Sequence, residues 1–291
     1  MRTVLAQRIA NRYATIKAEN SAGGAGRRYW QLCVLQEFWA SNPQKPGDNE
    51  PLETPSESNT LTQDQDDDPY DVIVSDVVGG LVLRTDFSNE EAWTTFSAKL
   101  KAAEDEISGA SGQESTASEL DTSANPPDID IGDGDNSDDS EEEVEGKLIK
   151  VINATQPEER AIFQNISNLR ALRLFNDVDI RPAPVVPSGS RRISPPNRLV
   201  DFAGWQEIYS GVTLWIYDAL SNTDQSVRLV SPEGDVYGTA TGDSWRAQVS
   251  HIPDLQLNMT FENMKINFGG MDRWDYSERK RNMEEADVLA S

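Results

Sequence analysis

Arg84 and Asp86 are the side chains best placed to serve a small-molecule site, because they close the apolar run Gly79 to Thr85. If that run is a strand, its carboxyl end is where open α/β sheets bind ligands. The same two residues also read as an ion pair and a turn-stabilising carboxylate. Asp243 and His251 complete the candidate set. His251 is the only histidine, and no second metal ligand or nucleophile stands at a diagnostic spacing from it. It reads either as a general base or as a structural histidine. Gly23-Gly-Ala-Gly26 has no strand before it and no Lys-Ser/Thr after it, so neither a Walker-type loop nor a dinucleotide fingerprint is present. No metal and no cofactor is expected, and the motifs lean against catalysis without settling it.

Several local elements could position these residues. Leu81-Val82-Leu83 is continuously apolar, as suits a strand buried on both faces. Ser88 offers an N-cap hydroxyl, with Glu91 completing a capping box. Trp93, Phe96, Leu100, Ala103 and Ile107 then recur at steps of three and four, which places them on one helical face. Lys147 to Ile152 reads as the next strand and Glu158 to Phe175 as partly helical. Thr213 to Tyr217 and Ser226 to Val230 read as strands joined by the polar turn Asn222-Thr-Asp224. Glu278 to Ala286 reads as a charged terminal helix. The expected class is mixed α+β: a small sheet with flanking helices, interrupted by a disordered acidic insert. Trp205, Tyr209, Trp215, Tyr217, Trp245 and Trp274 fit a core better than an exposed stacking surface. Thr241-Gly-Asp-Ser244 is similar to the Gly-Asp-Ser block of one esterase family, but it lacks the early strand before it and the late Asp-x-x-His, so it reads as a turn with a helix cap.

Arg84-Thr85-Asp86-Phe87-Ser88 followed by Ala92-Trp93 resembles the opening signature of an uncharacterised microbial domain family of unknown function. Ser226 to Ser231, Trp245 and Asn258-Met259-Thr260-Phe261 look similar to its later segments, so the resemblance covers about 85 to 270 discontinuously. It implies a small α/β domain and no known activity. The acidic insert and an Arg/Pro-rich segment depart from the family's compact pattern.

Charge is segregated along the chain. Asp48 to Asp71 and Glu104 to Glu145 hold 9 and 16 of the 50 acidic residues and no Lys or Arg, so the net charge of -24 belongs to these windows and the remainder is near neutral. Residues 43–71, with Pro43, Pro46, Pro51 and Pro55, read as a disordered acidic linker. Residues 109–146 read as a low-complexity insert that cannot repay its ordering entropy. Asp128 to Asp135 looks superficially like a calcium loop, but the required glycine would place Pro127 or Ile129 where the first carboxylate must stand. Residues 181–198 have the opposite character: Arg191-Arg192, five prolines and no acid make an extended basic loop. An intramolecular contact between the acidic insert and Arg191 and Arg192 is expected to be salt-sensitive. Ser194, between Arg191-Arg192 and Pro195, is a candidate phosphorylation site, and Ser140 before three glutamates is another.

Residues 1–42 read as a helical hairpin, with Val4, Leu5, Ile9, Tyr13 and Ile16 on one helix and Trp30, Cys33, Val34 and Phe38 on a second, joined by a glycine turn. Its partner is this chain or another protein. Arg2, Arg8, Arg12 and Lys17 precede any acid, so a mitochondrial presequence competes with that reading. A single cysteine, Cys33, excludes an intramolecular disulfide. No run approaches the roughly 18 apolar residues of a membrane span. The α/β domain is assigned to 72–291 and the compartment to cytoplasm or nucleus. The leading function is a non-catalytic protein-interaction or regulatory module with another protein as partner. An enzyme using Arg84, Asp86, Asp243 or His251 is the alternative, and single-strand nucleic-acid binding through the basic loop is the third.

Overall fold

The computed structural model describes residues 4–19, 26–43, 66–113, 147–185, 196–236, 238–266 and 275–288. In chain order its elements are α1 (Val4–Glu19), α2 (Arg27–Ala40), α3 (Asp71–Val74), β1 (Val77–Arg84), α4 (Glu90–Gln113), β2 (Lys147–Ile152), α5 (Pro157–Phe163), α6 (Asn168–Phe175), β3 (Asp177–Pro182), β4 (Trp205–Ser210), β5 (Thr213–Tyr217), α7 (Ser221–Asp224), β6 (Ser226–Val230), β7 (Ser244–Gln248), α8 (Ile252–Phe261) and α9 (Tyr276–Glu285). The class is mixed α+β, as the sequence predicts.

Five strands form one sheet in the order β2-β1-β5-β6-β7, with β1 parallel to both neighbours and β5, β6 and β7 antiparallel in succession. β1 has a strand on each edge and apolar layers on both faces, which is why its alternation disappears into a continuous apolar run. Val82 faces one layer with Trp215 and Leu229; Leu81 and Leu83 face the other with Leu214 and Ile216. A separate antiparallel pair, β3 with β4, covers part of the second face.

On the first face α4 buries Trp93, Phe96 and Leu100 at helical spacing, and the rings of Trp93 and Phe96 meet Tyr217 edge-on at 4.8 and 4.9 Å. Its start differs from the expected capping box. Asn89 Oδ1 accepts from Ala92 N at 3.0 Å, while Ser88 turns its hydroxyl to Asp86. The nearer carboxylate captures the serine, and the next residue in chain takes over the cap. α8 lies beside α4, and the glycine pair in β1 admits it. A Cβ on Gly79 would stand 2.6 Å from the Leu148 carbonyl, and one on Gly80 would overlap the Gln256 amide of α8. Gln256 in turn accepts a hydrogen bond from Trp215 Nε1 at 2.8 Å inside the core.

The second face carries α6, α9 and the α1–α2 hairpin, and the hairpin shares its core with the α/β body. Phe38 meets Trp205 and Trp39 meets Phe202 edge-on, at 6.0 and 5.6 Å. The partner of the hairpin is therefore this chain. Three expected boundaries shift. Residues 66–71 of the acidic linker form a strap: Asp66 accepts from Tyr13 and Lys17, and Asp68 and Asp71 pair with Arg28. α4 continues through 109 to Gln113, into the span assigned to the insert. Arg181 and Pro182 belong to β3, and Arg198 is buried, so the basic loop is shorter than 181–198. Composition averaged over a window hides such single ion pairs. Residues 114–146, with Ser140 and the calcium-like stretch, and 186–195, with Arg191, Arg192 and Ser194, lie outside the described residues, as does Trp274. No described helix is long and apolar enough to cross a membrane.

Candidate functional site

The segment after β1 is a braced turn. Arg84 is fully buried between Phe87 and Trp93, its guanidinium carbon 5.0 and 4.8 Å from the ring centroids. Its Nε donates to the Asp86 carbonyl at 2.9 Å, and Nη1 to Glu90 at 2.9 Å and Asn153 at 3.2 Å. Thr85 Oγ1 donates to the Tyr217 carbonyl at 2.9 Å. Asp86 accepts from Ser88 N at 3.0 Å and from Asn222 Nδ2 at 2.7 Å, and Asn222 accepts from the Tyr217 hydroxyl. Burial opposes ionisation of Asp86, yet the bonds from Ser88 and Asn222 outweigh it and hold the carboxyl below its usual range. Burial pushes the Tyr217 phenol up to about 12. Every residue from Arg84 to Ser88 thus has a turn-building or packing contact.

Asp243 and His251 do not join this pair. β7 runs parallel to β5, with Asp243 just before its start and His251 just beyond its end, so Asp243 lies at the opposite end of the sheet from Arg84. Asp243 is buried, accepting from Ala240 N and from Arg279 Nη1, both at 2.7 Å. Its Oδ1 has no hydrogen-bond partner among the described residues, and burial pushes the carboxyl up to about 6 despite Arg279. His251 is exposed. Among the described residues no three His, Cys, Asp or Glu side chains are grouped to hold a metal ion.

The sequence reading missed the charged clusters on the second face. Asp218, just after β5, receives both Arg246 nitrogens at 2.8 and 2.9 Å and sits 3.3 Å from Arg228, which also pairs with Glu278 of α9 at 3.0 Å. Burial works against ionisation of Asp218, but the Arg246 bonds and the Arg228 charge hold its carboxyl down at about 2. Arg228 inside the apolar strand run 226–230 was the available signal. Glu207 is likewise buried, with Arg173 at 3.3 Å and the Tyr209 hydroxyl donating to it at 2.6 Å. Trp205, Tyr209, Trp215 and Tyr217 are all core, as composition suggested.

Among the described residues, two open clefts are larger than a third, of about 310 Å³, beside Val77–Gly79 and Gly211. One, of about 420 Å³, lies at the amino end of β5, between Gly211–Leu214, Leu229–Asp235 and Ile266. The other, of about 730 Å³, separates α2 and the strap from the α5–α6 turn. Gly26 makes the second possible: a Cβ there would stand 2.5 Å from Asp68 Oδ2 and Pro69 Cδ, so only glycine lets the strap cross the start of α2. Asp68 then accepts from Arg28 N at 2.9 Å and Arg28 Nη1 at 2.8 Å. On the far wall Asn165 adopts a left-handed φ of 52° and donates its N–H to the Thr85 carbonyl at 2.8 Å, tying the α5–α6 turn to the end of β1. Arg281 Nη2 donates to the Asn165 carbonyl at 2.7 Å. Tyr29, Tyr70, Ile162, Leu174, Arg170 and Arg173 also line it. Ile162 and Arg170 are exposed.

The chain matches no family model, no curated protein and no solved structure.

Proposed function

We propose that the protein is a non-catalytic interaction module, with the α/β body as scaffold and the cleft between α2 and the α5–α6 turn as its recognition surface. One contrast supports this reading. The polar residues that suggested chemistry are engaged internally or separated across the sheet, whereas the 730 Å³ cleft is walled by arginine, tyrosine and aliphatic side chains. Tyrosine and arginine are the residue types that dominate binding hot spots, and an aliphatic floor supplies the apolar area that stabilises association.

The test is affinity capture after in-cell cross-linking, using the full chain beside its Ile162→Glu and Arg170→Glu variants. Both side chains are exposed, so the substitutions leave the core alone. The expected result is a protein captured by the parent and lost from both variants. Identical capture by all three would remove the cleft from the reading.

A further inference from the structure

We infer that the cleft takes an acidic peptide segment in which a carboxylate lies close to a large aliphatic side chain, an assignment that rests on the interaction reading above. The wall carries four guanidinium groups, Arg28, Arg170, Arg173 and Arg281, against one carboxylate, Asp68, which is already bonded to Arg28. Three of the four are fixed by their own partners: Arg28 by Asp68 and Asp71, Arg173 by Glu207 and Tyr209, Arg281 by Glu285. Those partners, apart from Asp68, are not part of the wall. Arg170 differs, being exposed and having no carboxylate within ion-pair distance among the described residues. Beside it, Ile162 is 46 % exposed and Leu174 is half-buried, an aliphatic shelf next to a free cation.

Three ligand chemistries can be compared against that wall. A purely apolar segment would cover Arg170 and remove its hydration without replacing it, which is unfavourable. A nucleic-acid backbone draws its affinity from several phosphates, each neutralised by its own cation, and only one guanidinium here is free to do so. A carboxylate with a neighbouring Leu or Ile satisfies both features: a charge-assisted, bidentate bond to Arg170 and burial of Ile162 and Leu174.

The experiment is fluorescence anisotropy of the full chain with the labelled probe peptide Glu-Leu-Asp-Glu-Leu-Asp, beside Lys-Leu-Lys-Lys-Leu-Lys and Glu-Ser-Asp-Glu-Ser-Asp. Only the first should bind, with affinity falling at least tenfold in Arg170→Glu and in Ile162→Glu. It should hold unchanged in Lys99→Glu, an exposed charge on α4 across the sheet. Raising salt from about 50 to 300 mM should weaken binding several-fold, since the pair sits at the surface. Equal binding by the parent and both cleft variants overturns the inference, as does preference for the basic probe. A concentration-dependent dimer that Arg170→Glu dissolves, with no probe bound, also overturns it by giving the cleft to a second copy. If no probe binds while cross-linked capture still depends on Ile162 and Arg170, the acidic-peptide assignment fails and the interaction reading stands; if capture is also unaffected, both fail.

Discussion

Gly80→Ala tests whether α8 is seated against β1 as closely as the glycine pair requires. The new methyl would overlap the Gln256 amide oxygen, which accepts the Trp215 indole N–H at 2.8 Å in a fully buried site. Alanine gains about 0.4–1 kcal/mol over glycine by restricting the unfolded chain. Against this, displacing the amide leaves the indole N–H without an acceptor, at about 1–3 kcal/mol. Forcing a methyl into the packed layer adds about 1–3 kcal/mol. The net expectation is a loss of about 2–4 kcal/mol, measured by urea unfolding followed through tryptophan fluorescence, with the slope unchanged. Gln256→Ala alone orphans the same N–H, so in the double variant the Gly80→Ala penalty largely disappears and the cycle shows a coupling of about 1–3 kcal/mol. A Gly80→Ala cost under about 0.5 kcal/mol, or a cycle that closes to zero, would refute the close approach of α8 to β1.

The strap and two buried carboxylates give further tests. Asp68→Ala leaves the nearly buried Arg28 guanidinium with Asp71 as its close partner and frees the Arg28 N–H, so it should cost about 2–4 kcal/mol in urea unfolding and speed proteolysis within 66–71; an unchanged midpoint would count against the strap. Asp218 has a folded pKa of about 2, below the unfolded value of about 3.9, so its stabilisation is complete above about pH 5 and falls by about 2 kcal/mol as pH drops toward 2. Asp218→Asn should be less stable near neutral pH and should lose that part of the acid dependence. Asp243 has the opposite sign: with its carboxyl raised to about 6, its contribution declines by about 2 kcal/mol as pH rises from 4 to 6. Asp243→Asn should flatten that window in a pH series of unfolding midpoints, and an unaltered profile would mean that the carboxyl is ionised throughout.

Elements that carry a periodic apolar signal are legible in the chain's local sequence. The runs at 147–152, 213–217 and 226–230 coincide with β2, β5 and β6, and the three-and-four spacing of Trp93, Phe96 and Leu100 marks the buried face of α4. These signals are local, since a strand or helix with an apolar layer beside it must present that layer with its own period. β3, reading Asp-Val-Asp-Ile-Arg-Pro, and β7, reading Ser-Trp-Arg-Ala-Gln, carry too much charge and polarity for such a signal, and α8 has a proline as its second residue. Their structure depends on partners far away in the chain.

The same division runs through the candidate site. That Arg84 and Asp86 follow a strand was legible; that Arg84 would be sealed between two rings and Asp86 held by Asn222, 136 residues on, was not. Asp66, Asp68 and Asp71 looked like part of a solvated tether because composition counts charges without seeing their partners. The hairpin's Lys17 and Arg28 turn those aspartates into a strap, and the strap builds one wall of the cleft. This arrangement emerges only on folding, because an ion pair is fixed by distance in space, and the chain between Arg28 and Asp68 contains nothing that specifies that distance.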